Sequence, residues 1–177
     1  MMKNLFQILC GLFLVVSYSS CMHSEEDKVD VLIIGGGASG VTSGIQSARM
    51  GANTLILEES TWLGGMLTSA GVSAVDGNYR LPAGLWGEFK NRLSDYYGGL
   101  DSLKTGWVSN VLFEPSVGNK ILHEMVAAEN NLKVWKQACL EEVKRTGDEW
   151  VAKVKVEGQG VKTVRAKVMI DATELGD

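Results

Sequence analysis

The stretch Val31-Leu-Ile-Ile-Gly-Gly-Gly-Ala-Ser-Gly40 constrains this chain more than any other. An unbroken aliphatic run suits a strand buried on both faces. It ends in three consecutive glycines, and Ala38 to Met50 follows as a helix-compatible segment rich in small residues. A second apolar run, Asn53 to Leu57, comes next. Strand, glycine turn, helix and strand make a βαβ unit.

The glycine spacing assigns each glycine its own task. Gly35 lets the chain turn sharply out of the strand, Gly37 lets a phosphate approach a backbone without a Cβ, and Gly40 lets the helix pack close to the sheet. The unpaired N–H groups at the helix start, on Ala38, Ser39 and Gly40, together with the helix dipole, favour an anion. Glu58, about 20 residues past the loop, stands where an acid accepts hydrogen bonds from ribose hydroxyls. These features predict a dinucleotide site. They do not separate NAD from FAD, because both place an adenosine diphosphate on the first βαβ unit.

With 177 residues the chain can enclose one substantial core. A formal charge of -4 leaves no basic footprint, which excludes nucleic acid as a partner.

Residues 1–20 read as a targeting segment outside the fold. Lys3 supplies the positive start and Leu5 to Val16 the apolar run, which Ser17, Ser19 and Ser20 cut short of a membrane span. The sequence Tyr18-Ser-Ser-Cys21 resembles the lipobox of bacterial lipoproteins, in which the cysteine is acylated; Tyr18 departs from the usual aliphatic residue, so simple secretion is the alternative. The expectation is an exported chain, periplasmic or held at the outer membrane by lipid on Cys21. Residues 21–28 then form a polar tether and 29–177 the amino-terminal portion of a nucleotide-binding domain. Once Cys10 leaves with the signal and Cys21 carries lipid, Cys139 is the remaining thiol. It is expected to be a packed small hydrophobe rather than a nucleophile.

Past Glu58, the double glycine of Trp62-Leu-Gly-Gly-Met-Leu-Thr68 marks a second close approach of backbone to ligand. Leu85, Trp86, Phe89, Leu93, Tyr96 and Tyr97 recur at helical spacing. Their aromatics are expected in the core, with Arg80 and the loop from Gly98 to Trp107 as candidates to face a ligand. Pro115 suits the first turn of a further helix, with Val117, Ile121, Leu122, Met125 and Val126 as its buried face and Asn130-Asn131 as its stop. His123 has no second ligand at metal-binding spacing, so no metal site is predicted. From Leu132 onward the period is two. Val134, Ala138 and Leu140, then Trp150 to Val156, then Val164 to Ile170 read as antiparallel strands joined by hairpins. The last residues, Met169 to Asp177, read as a strand delivering a loop to a site, so the chain is expected to be the amino-terminal part of a longer protein or a truncated product.

The runs DVLIIGGGASG, LILEES, WLGGMLTSAGVS and VMIDATELGD together resemble FAD-dependent oxidoreductases with the glutathione-reductase type of Rossmann fold. The resemblance implies an α/β FAD-binding domain, a parallel sheet crossed by an antiparallel β meander, here incomplete. It implies FAD as cofactor and a small organic molecule as substrate, with Gly35, Gly37 and Gly40 at the pyrophosphate and Glu58 at the adenosine ribose. Gly64, Gly65 and Met66 would run beside the flavin end. Asp171, Ala172 and Thr173 would form a second cofactor-contacting turn, with Glu174 where many relatives carry glycine, and Gly176-Asp177 would approach the flavin phosphate and ribityl chain. The resemblance assigns no catalytic residue. The alternatives are an NAD-binding dehydrogenase or nucleotide-binding module, which leaves the double glycine and the terminal turn without a task, and a non-catalytic ligand-binding lipoprotein or truncated remnant.

Overall fold

The aliphatic run of the glycine motif lies inside a six-stranded sheet. The computed structural model describes residues 26–177 apart from Asn78, Val108, Leu175 and Asp177. Strand β1 spans Glu26–Ile34, helix α1 Ala38–Arg49 and β2 Thr54–Glu58. Helices α2 (Gly84–Tyr97) and α3 (Pro115–Ala127) follow. The strands β3 (Leu132–Lys136), β4 (Ala138–Thr146), β5 (Glu149–Val156) and β6 (Gly160–Asp171) come last.

The sheet runs β3-β2-β1-β6-β5-β4. Its first four members are parallel, and β6, β5 and β4 continue as antiparallel hairpins. β1 therefore has parallel neighbours on both edges, and its side chains alternate between two cores. Ile33 and Ile56 face the helices with Val41, Ile45, Phe89 and Leu93. Leu32, Ile34, Leu55 and Leu57 face the other way and pack against Ala138, Ala152, Val154 and Val156. The meander thus covers one face of the parallel sheet, as the sequence led us to expect, and the double coverage explains the unbroken aliphatic run.

Local chemistry fixes the helices. Pro115 occupies the first turn of α3, where a missing N–H costs nothing. The Asn131 side-chain amide donates to the carbonyls of Ala48 (2.9 Å) and Ala52 (2.8 Å), so it holds the end of α1 as well as following α3. Arg49 bridges Glu88 of α2 and Glu129 past α3, at 2.9 and 2.7 Å.

Three expectations need correction. Glu26, Asp27 and Lys28, expected in the polar tether, belong to β1 and pair with Thr163, Val164 and Arg165 of β6; the Glu26 carboxylate also accepts from Arg165. A strand's exposed end can be as polar as a tether, so composition does not separate them. The run from Val134 to Leu140 is two strands: β3 joins the parallel sheet on β2, and the chain turns at Gln137, φ +53°, before β4 enters the meander. Alternation continues through that single residue, and no Gly, Pro or Asn marks it. Cys139 is exposed rather than packed, because the same alternation that buries Ala138 turns Cys139 outward. Partial desolvation and the neighbouring Glu59 carboxylate hold its thiol above the usual range, which keeps it protonated.

Leu32 is fully buried between β1's neighbours and the meander, whereas Val168 of the same sheet is 51% exposed. Leu32→Ala is expected to cost about 2–5 kcal/mol, and Val168→Ala within about 0.5 kcal/mol. Urea unfolding with an unchanged m-value checks both.

A candidate functional site at the carboxyl edge of the sheet

The carboxyl ends of β1, β2 and β6 deliver three turns to one place. Gly35, at φ +98°, turns the chain out of β1, and a Cβ there would lie 2.6 Å from the Ala172 carbonyl oxygen after β6. Gly40, in the first turn of α1, stands against the Gly35 carbonyl, which a Cβ would overlap. A Cβ on Gly36 would meet Glu58 Oε2 at 2.7 Å and Leu63 Cδ2 at 2.9 Å. Gly37 differs. Its backbone is ordinary (φ −64°, ψ −174°), and the nearest atom to a Cβ there is Glu174 Oε1 at 3.4 Å. The protein's own packing requires glycine at Gly35, Gly36 and Gly40, but not at Gly37.

Gly37 is also the N-cap of α1, and no side chain caps that helix or puts an acid in its first turn. The helix start therefore presents N–H groups and the positive end of its dipole to the open side of the loop. The Glu58 carboxylate accepts from the Gly36 N–H (2.8 Å) and the Ser60 N–H (2.7 Å). Two acceptances fix its plane and leave further lone pairs for hydroxyl donors.

The double-glycine turn docks on this loop through the backbone. The Gly64 N–H donates to the Gly36 carbonyl at 2.8 Å, and Gly37 and Gly64 form a parallel bridge. Thr68, buried, donates to the Leu63 carbonyl at 2.5 Å, and the Asn119 side-chain oxygen accepts from the Leu63 N–H at 2.9 Å. These bonds hold the turn from both ends. After β6, Asp171 accepts from the Thr173 N–H (3.0 Å) and hydroxyl (2.8 Å). Both bonds stabilise the charged carboxylate and keep its pKa below the ordinary value.

A cavity of about 230 Å³ lies between these turns. Gly35, Gly37, Glu58, Gly65, Ala172 and Thr173, all expected at the cofactor, line it. Gly40 and Gly64 stand behind its wall as packing and backbone contacts. Met66 is 56% exposed and does not line it. Ala38 and Ser39 open instead on a neighbouring apolar cavity of about 300 Å³ beside Leu67, Trp86 and Phe89. Ala138 and Leu140 of β4 also line the cradle. Alternation marks them as inward-facing, but nothing in the sequence shows that the meander reaches this edge. Arg80 bonds the neighbouring Tyr79 hydroxyl at 3.1 Å and does not line the cradle, and Trp107 is 98% exposed. Lys90, which sequence reading did not single out, is buried and donates to the carbonyls of Tyr79 and Leu81, at 2.8 and 2.9 Å, holding the segment before α2. Desolvation, with Lys136 nearby, keeps the His123 pKa down. Cys21 and Asp177 lie outside the described residues.

A parallel sheet with a glycine loop at its carboxyl edge, an uncapped helix start and an acid closing the second strand define a dinucleotide-binding domain. The model of the FAD dependent oxidoreductase family matches residues 30–177. The chain belongs to that family, and its cofactor is FAD. A comparison with curated proteins finds no match. Among solved structures, the fold is similar to that of a flavoprotein/dehydrogenase from Cytophaga hutchinsonii, with 17% identity and a TM-score of 0.62 over 85% of this chain and 40% of that one. It is also similar to a geranylgeranyl bacteriochlorophyll reductase-like protein from Thermoplasma acidophilum, with 19% identity and a TM-score of 0.57 over 83% and 39% of the two chains. A third is p-nitrophenol 4-monooxygenase from Pseudomonas putida, at 14% identity and 0.53 over 82% and 41%. These likenesses concern the fold. The chain spans about two fifths of the length of these structures.

Gly40→Ala is expected to destabilise the chain by about 1–3 kcal/mol through overpacking against Gly35, and Gly37→Ala by no more than about 1 kcal/mol; denaturant unfolding separates the two. The Asp171 carboxyl should titrate below its ordinary value near 3.8. Its stabilisation of the turn is complete above that value and lost as pH falls through the depressed one, which NMR titration of the carboxyl carbon reads directly.

Proposed function

We propose that the chain is the FAD-binding portion of an exported, lipid-anchored oxidoreductase acting on a small organic molecule, with cofactor contacts of the glutathione-reductase type. The observation that carries this reading is the bare Gly37: a position with no internal need for glycine, at an uncapped helix start, beside a cavity. The N–H groups at the uncapped start of α1 hold the pyrophosphate beside the bare Gly37, Glu58 accepts from the adenosine ribose, and Gly64, Gly65 and Met66 border the cofactor toward its flavin end. Ala172 and Thr173 close the cradle from β6. The flavin supplies the electron-accepting chemistry; this part of the protein binds and orients it.

Export rests on the apolar run from Leu5 to Val16, and anchoring on Cys21 at the end of Tyr18-Ser-Ser. Among the described residues no helix is long and apolar enough to cross a membrane; the proposed attachment, by lipid on Cys21, rests on the sequence Tyr18-Ser-Ser-Cys21. In the source cell, Cys21→Ala is expected to move the chain from the membrane to the soluble fraction, with loss of the lipid mass from the mature amino terminus. An unchanged distribution overturns the anchor.

The cofactor contacts are tested by adding FAD to the purified chain, removing free flavin and recording the absorption spectrum, beside Gly37→Val. The parent is expected to retain flavin. The branched side chain should weaken binding about ten- to a hundredfold, the cost of forcing extra volume into the phosphate approach. Equal retention by both removes Gly37 from the site.

A further inference from the structure

We propose that Glu174 is a latch on the cofactor cradle, whose carboxylate bridges the phosphate loop and the double-glycine turn until the diphosphate displaces it. This rests on the FAD-binding reading above. Glu174 Oε1 accepts from the Met66 N–H at 3.2 Å. The same oxygen lies 3.4 Å from the position of a Cβ on Gly37 and would be overlapped by one on Gly65. Two glycines on different turns thus leave a gap, and the carboxylate sits in it, on the wall of the cavity.

Two features make this contact a gate rather than a brace. The backbone beneath it is held separately, because Asp171 accepts from Thr173 and the Thr173 hydroxyl accepts from the Gly176 N–H at 3.0 Å. The Glu174 side chain is exposed and can swing out with that turn in place. The cavity's charge also opposes an anion: among the described residues it is lined by the carboxylates of Glu58, Glu59 and Glu174 and by no Lys or Arg. A diphosphate there depends on backbone N–H groups, and a carboxylate in the same gap competes with it in both charge and space. The competition-free state is the one in which Glu174 has turned to solvent, and only that fraction of molecules is ready to bind.

The test is FAD binding to the full chain, followed by quenching of flavin fluorescence at equilibrium and in stopped flow, for the parent, Glu174→Ala and Glu174→Gln. A latch closed nine-tenths of the time weakens apparent affinity about tenfold, so Glu174→Ala should bind about tenfold tighter and associate faster. Glu174→Gln, which keeps an acceptor for Met66 but loses the charge, should fall between. In the cofactor-free chain, hydrogen exchange at the Met66 amide should speed up in Glu174→Ala, a readout that needs no ligand. Binding by the parent with unchanged or weaker affinity in Glu174→Ala overturns the latch and leaves FAD binding standing. No binding by any of the three, with the fold intact by circular dichroism, overturns both.

Discussion

The structure depends on three backbone segments touching at one point. Gly35 leaves β1, Gly40 begins the climb of α1 and Ala172 leaves β6, and no Cβ separates the first two from their neighbours. Because the Ala172 N–H donates to the Ile34 carbonyl at 2.8 Å, the turn after β6 is stitched to the end of β1. The helix can then lie close on the sheet, with Ile33, Val41, Ile45 and Ile56 in one core. Close packing at this point brings the helix start, the end of β2 and the turn after β6 within one cavity. The cradle thus follows from this close contact among the three segments.

The cradle's electrostatics follow from the same economy. Among the described residues its lining carries three carboxylates and no cation. An anion held there is held by oriented dipoles, whose strength depends on geometry and on exclusion of water. Geometry is supplied by the docking of Gly64 on Gly36, by Thr68 and Asn119 on either side of Leu63, and by Asp171 on Thr173. Each is a short-range bond to backbone, so the loops are placed by the chain's own amides rather than by long, mobile side chains. Glu58 fits this scheme: it orders Gly36 and Ser60 through their N–H groups and retains further lone pairs.

Elements carried by strong local signals were legible in the sequence. The glycine loop, α1, β2, α2, α3 and the hairpins of the meander all announce themselves through period, Pro115 or glycine turns, and the structure places them within a few residues of the expected bounds. The crossing of the parallel sheet by the meander, which the resemblance implied, is also present. What could not be read are features decided by partners far along the chain. Gln137 makes a turn through a positive φ that its residue type does not advertise, so β3 and β4 merge in the sequence. Glu26 to Lys28 are polar on a strand whose edge partner, β6, lies about 140 residues away. Lys90 reads as a surface charge and is buried because two backbone carbonyls happen to accept from it. Ala138 and Leu140 reach the cradle only because the meander folds across the sheet.

Glycine spacing alone cannot tell a ligand loop from a tight turn, since both exclude side chains. The neighbours of each absent Cβ can. At Gly35 the obstacle is the Ala172 carbonyl, at Gly36 the Glu58 and Leu63 side chains, and at Gly40 the Gly35 carbonyl. Further along α1, Gly44 makes room for Ile56 and Leu132. All four are explained by packing and would be required in a domain that bound nothing. Gly37 is left over, with allowed dihedrals and one flexible carboxylate nearby. Of these loop glycines, Gly37 alone has a smallness that no neighbour in the fold requires, and it stands at the uncapped start of α1, where the helix dipole favours negative charge.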